Sequence, residues 1–275
     1  MLSLNVDTDT HSAHILVFDS GLGGTTILTA LKKQLPQCSY SYAMDNAVFP
    51  YGGQTDAFLL QRCGPLFAKL IAHEQPDIIV IACNTASTLF LAYLRQQYPD
   101  VAFIGVVPAI KPAALLSTTG VIALLATPAT IQRQYIDLLS DQHAKGCELI
   151  RFSHPDLAIL AEQKMRGQAP AQLQYDRIFS AFKRHPKAAA IDTFILGCTH
   201  YPAIADELAL AWGKKVQWVD SADAIAKRAT SLLQAMTSPK KAKEAHLLLT
   251  TDAQQEEIER SLRRFQFKSC QVLEI

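Results

Sequence analysis

Residues 78–85 read IIVIACNT, and residues 194–200 read FILGCTH. Each is an apolar run of strand length that stops on a cysteine and passes at once into small hydrogen-bonding residues, Asn84-Thr85 and Thr199-His200. Strands buried on both faces read as continuous apolar runs without polar alternation. A strand made only for packing can stop on any residue. Two that stop on the same reactive atom point to a shared task.

The same unit recurs outward along the chain. The strand HILVFDS (14–20) leads into TTILTALKKQL (25–35), whose apolar residues repeat at helical spacing. YSYAM (40–44) is a short strand before the loop FPYGG, and helix 55–75 precedes the strand ending at Cys83. Helix STLFLAYLRQQY and strand AFIGVV follow, and GVVPAIKP, with Pro108 and Pro112, marks a crossover. The pattern then restarts with GVIALLA (120–126), the turn TPAT and the helix IQRQYIDLLSD. Strand CELIRF, a helical region from about Leu157 to Arg184 and the strand ending at Cys198 complete the second round. Helix AIADELALAW, strand VQWVD, helix 222–236, strand HLLLTTD, helix QQEEIERSLRRF and CQVLEI close the chain.

Strands alternating with helices predict an α/β fold with mainly parallel sheets flanked by helices. The restart predicts an internal duplication. The two cysteines lie 115 positions apart, and Asp19 lies 108 positions before Thr127, so the two pairings nearly agree. Residues 1–107 plus 220–275 are expected to form one domain and 108–219 a second, similar one, with the active site in the cleft between them. A chance match of two generic βα units is the plainer alternative.

Composition narrows the classes. The chain has 275 residues, 49% hydrophobic and 19% charged, which is globular composition. A formal net charge of +1 gives no electrostatic case for nucleic acid or an anionic membrane. The densest basic cluster, Lys240, Lys241 and Lys243, reads as a solvated linker. No run approaches the ~20 residues of a membrane span, and no signal-peptide pattern opens the chain. Six cysteines without a CxxC pair fit free thiols in a reducing cytoplasm.

Ligands of parallel α/β sheets sit beyond the carboxyl ends of the strands. Asp19, Cys83, Thr127 and Cys198 all hold that position, so they are expected to line the cleft. A helix N-terminus after each cysteine favours its thiolate. Two thiols facing a ligand from opposite sides suit the inversion of a carbon that carries an acidic hydrogen, one sulfur taking the proton and the other returning it from behind. A single cysteine ending a buried strand is ordinarily a packed hydrophobe. The matched pair with polar neighbours overrides that reading for Cys83 and Cys198, and Cys38, Cys63, Cys147 and Cys270 are left as packing. In the turn Asp19-Ser20-Gly21-Leu22-Gly23-Gly24, neither phosphate-binding glycine pattern is complete. Asp19 and Ser20 are read as ligands for a substrate ammonium, with the glycines admitting its backbone; a tight turn without a ligand is the alternative. His200 can tune the thiol beside it or relay a proton. Zinc on Cys83, Cys198 and His200 lacks the paired spacing of structural sites, and a thiol hydrolase built on Cys198 and His200 leaves Cys83 unused.

These residues together resemble the glutamate racemase family of cofactor-independent aspartate/glutamate racemases. FDSGLGG, PYGG, ACNTAS, LATPAT and LGCTHYP match its motifs in order, from about Ile15 to Asp220. The resemblance implies racemisation of glutamate, supplying D-glutamate for peptidoglycan, without pyridoxal phosphate or metal. By position, Cys83 and Cys198 are its acid/base pair, assisted by Asp19 and His200. Asp19, Ser20, Tyr51, Gly52, Asn84, Thr85, Thr199 and His200 are its substrate contacts, with Thr127 and Thr130 near the carboxylate end. The segment HPDLAILAE departs from the family by His154 and Ile159, where a Cys and a Pro are usual; Glu162 falls at the spacing of an active-site glutamate. Aspartate racemase is the near alternative, and a non-catalytic amino-acid-binding protein the distant one. A homodimer is the default assembly.

Overall fold

The computed structural model describes residues 12–236 and 243–275. Lys240 and Lys241 of the basic linker lie outside them.

The first sheet begins with β1 (His14–Asp19), which is buried along its whole length. Helix α1 (Thr25–Gln34) returns the chain to β2 (Ser39–Met44), which pairs parallel to β1. Helix α2 (Asp56–Glu74) starts on a Thr55 cap, whose hydroxyl accepts from the amide of Phe58. It leads to β3 (Ile78–Ile81), α3 (Asn84–Gln97) and β4 (Ala102–Gly105). All four strands run parallel, in the order β2-β1-β3-β4.

The second sheet repeats this topology. Helix α4 (Ile110–Leu116) crosses to β5 (Val121–Ala126), the short α5 (Pro128–Ile131), α6 (Gln134–His143) and β6 (Glu148–Ser153). The expected long helical region is two helices, α7 (Asp156–Met165) and α8 (Gln172–Phe182), broken at Gly167, whose φ of +85° suits a residue without Cβ. Then come β7 (Thr193–Leu196), α9 (Ala205–Trp212) and β8 (Gln217–Val219). The strand order β6-β5-β7-β8 matches β2-β1-β3-β4 unit for unit, so the duplication is real at the level of topology. Cys83 and Cys198 follow the equivalent strands β3 and β7.

The chain then returns to the first sheet. Helix α10 (Ala222–Ala235) buries Ile225, Ala226, Ala229 and Leu233 against α1 and the first sheet. Strands β9 (His246–Leu249) and β10 (Ser269–Val272) extend that sheet beside β2, with α11 (Gln255–Leu262) between them. Each sheet has an apolar layer on both faces. Fully buried Phe18, Phe67, Phe90, Phe194 and Trp212 anchor these layers, each contributing about 1.5–3 kcal/mol relative to exposure. Residues at the carboxyl ends of both sheets face one shared cleft.

Candidate active site

The ends of β1, β3, β5 and β7 converge on one cavity between the domains. Cys83 and Cys198 both line it, with Asp19, Ser20, Tyr51, Gly52, Asn84, Thr85, Thr127, Thr199 and His200. Only about 20 Å³ inside it is free, far below the range for small-molecule sites, so the cavity is drawn closed on its own side chains. The cleft is shut, and hydrogen bonds cross it. Thr199 Oγ1 donates to Asp19 Oδ2 at 2.9 Å, and the Leu22 amide donates to Glu162 Oε2 at 2.8 Å.

Cys83 caps the N-terminus of α3, as expected from the strand-turn-helix reading. Burial nevertheless pushes its thiol far up, and the nearby Asp19 carboxylate adds to this; the Ala86 amide and Ser20, whose Oγ lies 4.0 Å from the sulfur, offset it only in part. The expected symmetry fails at Cys198, where a short 3₁₀ turn, Tyr201–Ile204, precedes α9. No long helix starts at that sulfur. Its neighbour is instead His200, with Nδ1 3.8 Å from Sγ.

His200 is one link of a buried chain. Its Nε2 lies 2.8 Å from Glu162 Oε2, and both side chains are almost fully enclosed. Burial opposes a charge on either ring or carboxyl. On His200 the partners Cys198 and Glu162 outweigh it and raise the imidazole well above its usual range. On Glu162 the partners His200, Arg166 and the Leu22 amide outweigh it and hold the carboxyl low. The Gly23 amide, 3.2 Å from the same Nε2, can bond that nitrogen only when its proton is absent. The shorter Glu162 contact and the opposite shifts of the two groups favour imidazolium and carboxylate over that Gly23 bond, and Glu162 is a buried partner of the site.

The glycine turn serves closure. A Cβ on Gly23 would come 2.3 Å from His200 Nδ1, and one on Gly21 would come 2.8 Å from both Glu162 Oε2 and His200 Nε2. The space opened by these glycines, expected to admit substrate, is filled by side chains of the opposite domain. Gly52 similarly lets its backbone meet Thr127, whose Cβ would stand 2.8 Å from an added Cβ.

Asp19 sits at the end of β1, wholly buried, and burial raises its carboxyl despite the His200 charge, the Gly21 amide and the Thr199 hydroxyl. Asn84 Oδ1 is buried without a partner, an acceptor left for a ligand. Thr85 and Thr127 line the cavity, and their hydroxyls cluster with that of Thr130, buried behind them and off the cavity wall, at Oγ1 separations of 2.9–3.4 Å. The Tyr51 hydroxyl is turned away and donates to Asp45 Oδ2 at 2.6 Å. Arg62 grips that same carboxylate from the side, and Thr250 donates to it at 2.6 Å.

Sequence reasoning missed Phe49, Asp45 and Arg166. Phe49 lines the cavity and lies against the His200 ring, with centroids 5.3 Å apart. Asp45 stands just beyond β2, so the rule that selected Asp19 would have found it. Cys83, Cys198 and His200 do not form a metal-ligating group. Among the described residues the grouping that could hold an ion is His73, Glu74 and His246, near the opposite end of the first sheet. There Glu74 is already satisfied by His14, Ser41, His73 and His246.

The family model of the Asp/Glu/hydantoin racemases matches residues 25–229. A curated glutamate racemase from Shewanella loihica is 44% identical over 259 residues, 94% of this chain and 95% of that one. The crystal structure of Escherichia coli glutamate racemase in complex with L-glutamate and the activator UDP-MurNAc-Ala superposes with a TM-score of 0.89 at 34% identity, covering 96% and 99% of the two chains. Francisella tularensis glutamate racemase in complex with D-glutamate gives a TM-score of 0.74 at 25% identity, covering 94% and 96%.

Proposed function

The chain belongs to the Asp/Glu/hydantoin racemase family, and we propose that its cleft interconverts L- and D-glutamate by proton transfer between Cys83 and Cys198. The observation that carries this is the placement of both sulfurs on one closed cavity, each brought by a different domain from an equivalent strand end. One thiolate removes the α-hydrogen, leaving a planar carbanion. The opposite thiol then donates its proton to the other face, and the two sulfurs have exchanged protonation states. The reverse reaction uses the same groups with roles swapped, so a matched pair serves both directions.

The remaining residues hold the carbon between the sulfurs. Asp19 and the free acceptor Asn84 Oδ1 suit the α-ammonium, and the Thr85 and Thr127 hydroxyls, backed by Thr130, suit a carboxylate. At the Cys83 end an arriving ammonium also supplies the positive charge that offsets Asp19, making a thiolate there less costly. Backbone at Tyr51 and Gly52 closes the wall. D-glutamate made in the cytoplasm would supply peptidoglycan synthesis.

The test is α-hydrogen exchange in heavy water, with no added cofactor. Either enantiomer of glutamate should take up deuterium while optical rotation decays to zero, and aspartate should exchange at least a hundredfold more slowly. Retained protium at high enzyme would end the proposal. Faster exchange with aspartate would transfer the reaction to that substrate.

A further inference from the structure

The Cys198 side of the site extends well beyond the cavity. Glu162 Oε1 accepts from both Nε and Nη2 of Arg166, the C-terminal cap of α7, at 2.9 and 2.8 Å. The Arg166 side chain is only 8% exposed. Its remaining nitrogen, Nη1, donates to Gln254 Oε1 at the start of α11, in the segment that returned to the first domain. Nearby, Gln168 Nε2 donates to Glu257 Oε1 at 3.2 Å across the same boundary. A continuous polar chain thus runs from Gln254 through Arg166, Glu162 and His200 to the Cys198 sulfur. Glu162 Oε2 meanwhile accepts from the Leu22 amide of the glycine turn, so the carboxylate is pinned from both domains.

We propose that Arg166 is a positioning residue for the reaction, its fork on Glu162 and its contact with Gln254 keeping the Glu162–His200–Cys198 chain assembled while the cleft is shut. The inference rests on the reaction proposed above and names a residue that does not touch the cavity. A guanidinium suits the task because Nε and Nη2 converge on Glu162 Oε1 while Nη1 reaches Gln254, a fixed planar set of directions that a freely rotating ammonium lacks. The charged and titratable groups facing this chain are Asp19 from β1, Tyr42 from β2, Cys83 after β3, Cys198, His200 and Tyr201 from the segment after β7, and Arg166 itself. Lys164 on the same helix is turned to Glu207, 2.7 Å away.

Arg166→Met tests it, with kcat and KM measured across pH. The expected result is a kcat lowered at least tenfold with KM within twofold, and an activity profile narrowed at both its acid and alkaline limbs. Narrowing follows because thiolate and imidazolium each lose a fixed partner. Peptide-resolved alkylation by iodoacetamide at neutral pH should slow at Cys198 at least threefold and stay unchanged at Cys83, which shares the cavity. A wild-type kcat and profile, or a profile that widens on the alkaline side, would overturn the proposal. So would a lowered melting temperature with unchanged kcat. If Arg166→Met does not fold, Arg166→Lys gives the same readouts, with about a threefold loss of kcat expected and an unchanged kcat overturning it. The alkylation arm needs no substrate, so it still judges Arg166 if glutamate proves not to exchange.

Discussion

The two thiols occupy equivalent places in a duplicated architecture, yet their surroundings differ. Cys83 sits at the head of a fourteen-residue helix with Asp19 and Ser20 beside it. Cys198 sits before a short turn with a histidine, a glutamate and an arginine ranked behind it. The first end relies on helix amides against an unfavourable carboxylate and strong burial. The second carries its own counter-ion. Two-base chemistry requires two groups of one kind, but it does not require that they be prepared in one way. In the proposed reaction the substrate ammonium would lessen the difference by offsetting the Asp19 charge beside Cys83.

The sharpest way to break the comparison is to remove each sulfur in turn. Cys83→Ser and Cys198→Ser should each lower racemisation by at least the ~10²–10⁴-fold typical of a lost acid/base group. Each variant should still exchange the α-hydrogen of one enantiomer, and the two variants should favour opposite ones. If both variants exchanged the same enantiomer, the sulfurs would not flank the carbon. Next in size is Gly23→Ala. Its Cβ would stand 2.3 Å from His200 Nδ1, so closure should fail by a fraction of an ångström and kcat/KM should fall on the order of a hundredfold. Steady-state kinetics checks this, with normal turnover showing that the closed arrangement is not the active one.

A smaller effect distinguishes the two ends electrostatically. Glu162→Gln should lower kcat about tenfold and slow Cys198 alkylation without altering Cys83, since a neutral amide cannot pair with the imidazolium. Equal slowing at both sulfurs would remove the asymmetry. Thr127→Val should cost the least, raising KM for glutamate about fivefold, as expected for one hydrogen bond; unchanged KM would free the hydroxyl cluster from substrate binding.

The same pair predicts a dependence of stability on pH. His200 is raised in the folded state, so its contribution is complete below the unfolded value near 6.5 and is lost as pH rises through the folded one. Glu162 is lowered, so its contribution is present above the unfolded carboxyl value and is lost as pH falls through its folded one. Denaturant unfolding of Glu162→Gln should therefore show its largest deficit between those limits. A deficit independent of pH would contradict the charged state assigned to the pair.

Much of this was legible in the chain. The end of each strand, the turn after it and the helix that follows are set within a dozen residues by apolar runs and small-residue turns. Position at a strand end selected Asp19, Cys83, Thr127 and Cys198, and all four line the cavity or its edge. The same rule applied to β2 would have found Asp45, which turns the Tyr51 hydroxyl away from the cleft.

What the amino-acid order determined was the sequence of βα units, their duplication and the cysteine closing the equivalent strand of each half, because backbone periodicity is a local property. What tertiary structure decided was the use of the glycine turn as a socket for His200 and Glu162, and the inequality of the two thiols. Those contacts join residues 140 to 177 positions apart. They exist only once two separately packed sheets dock with their carboxyl ends facing, and no pattern within either half records that geometry.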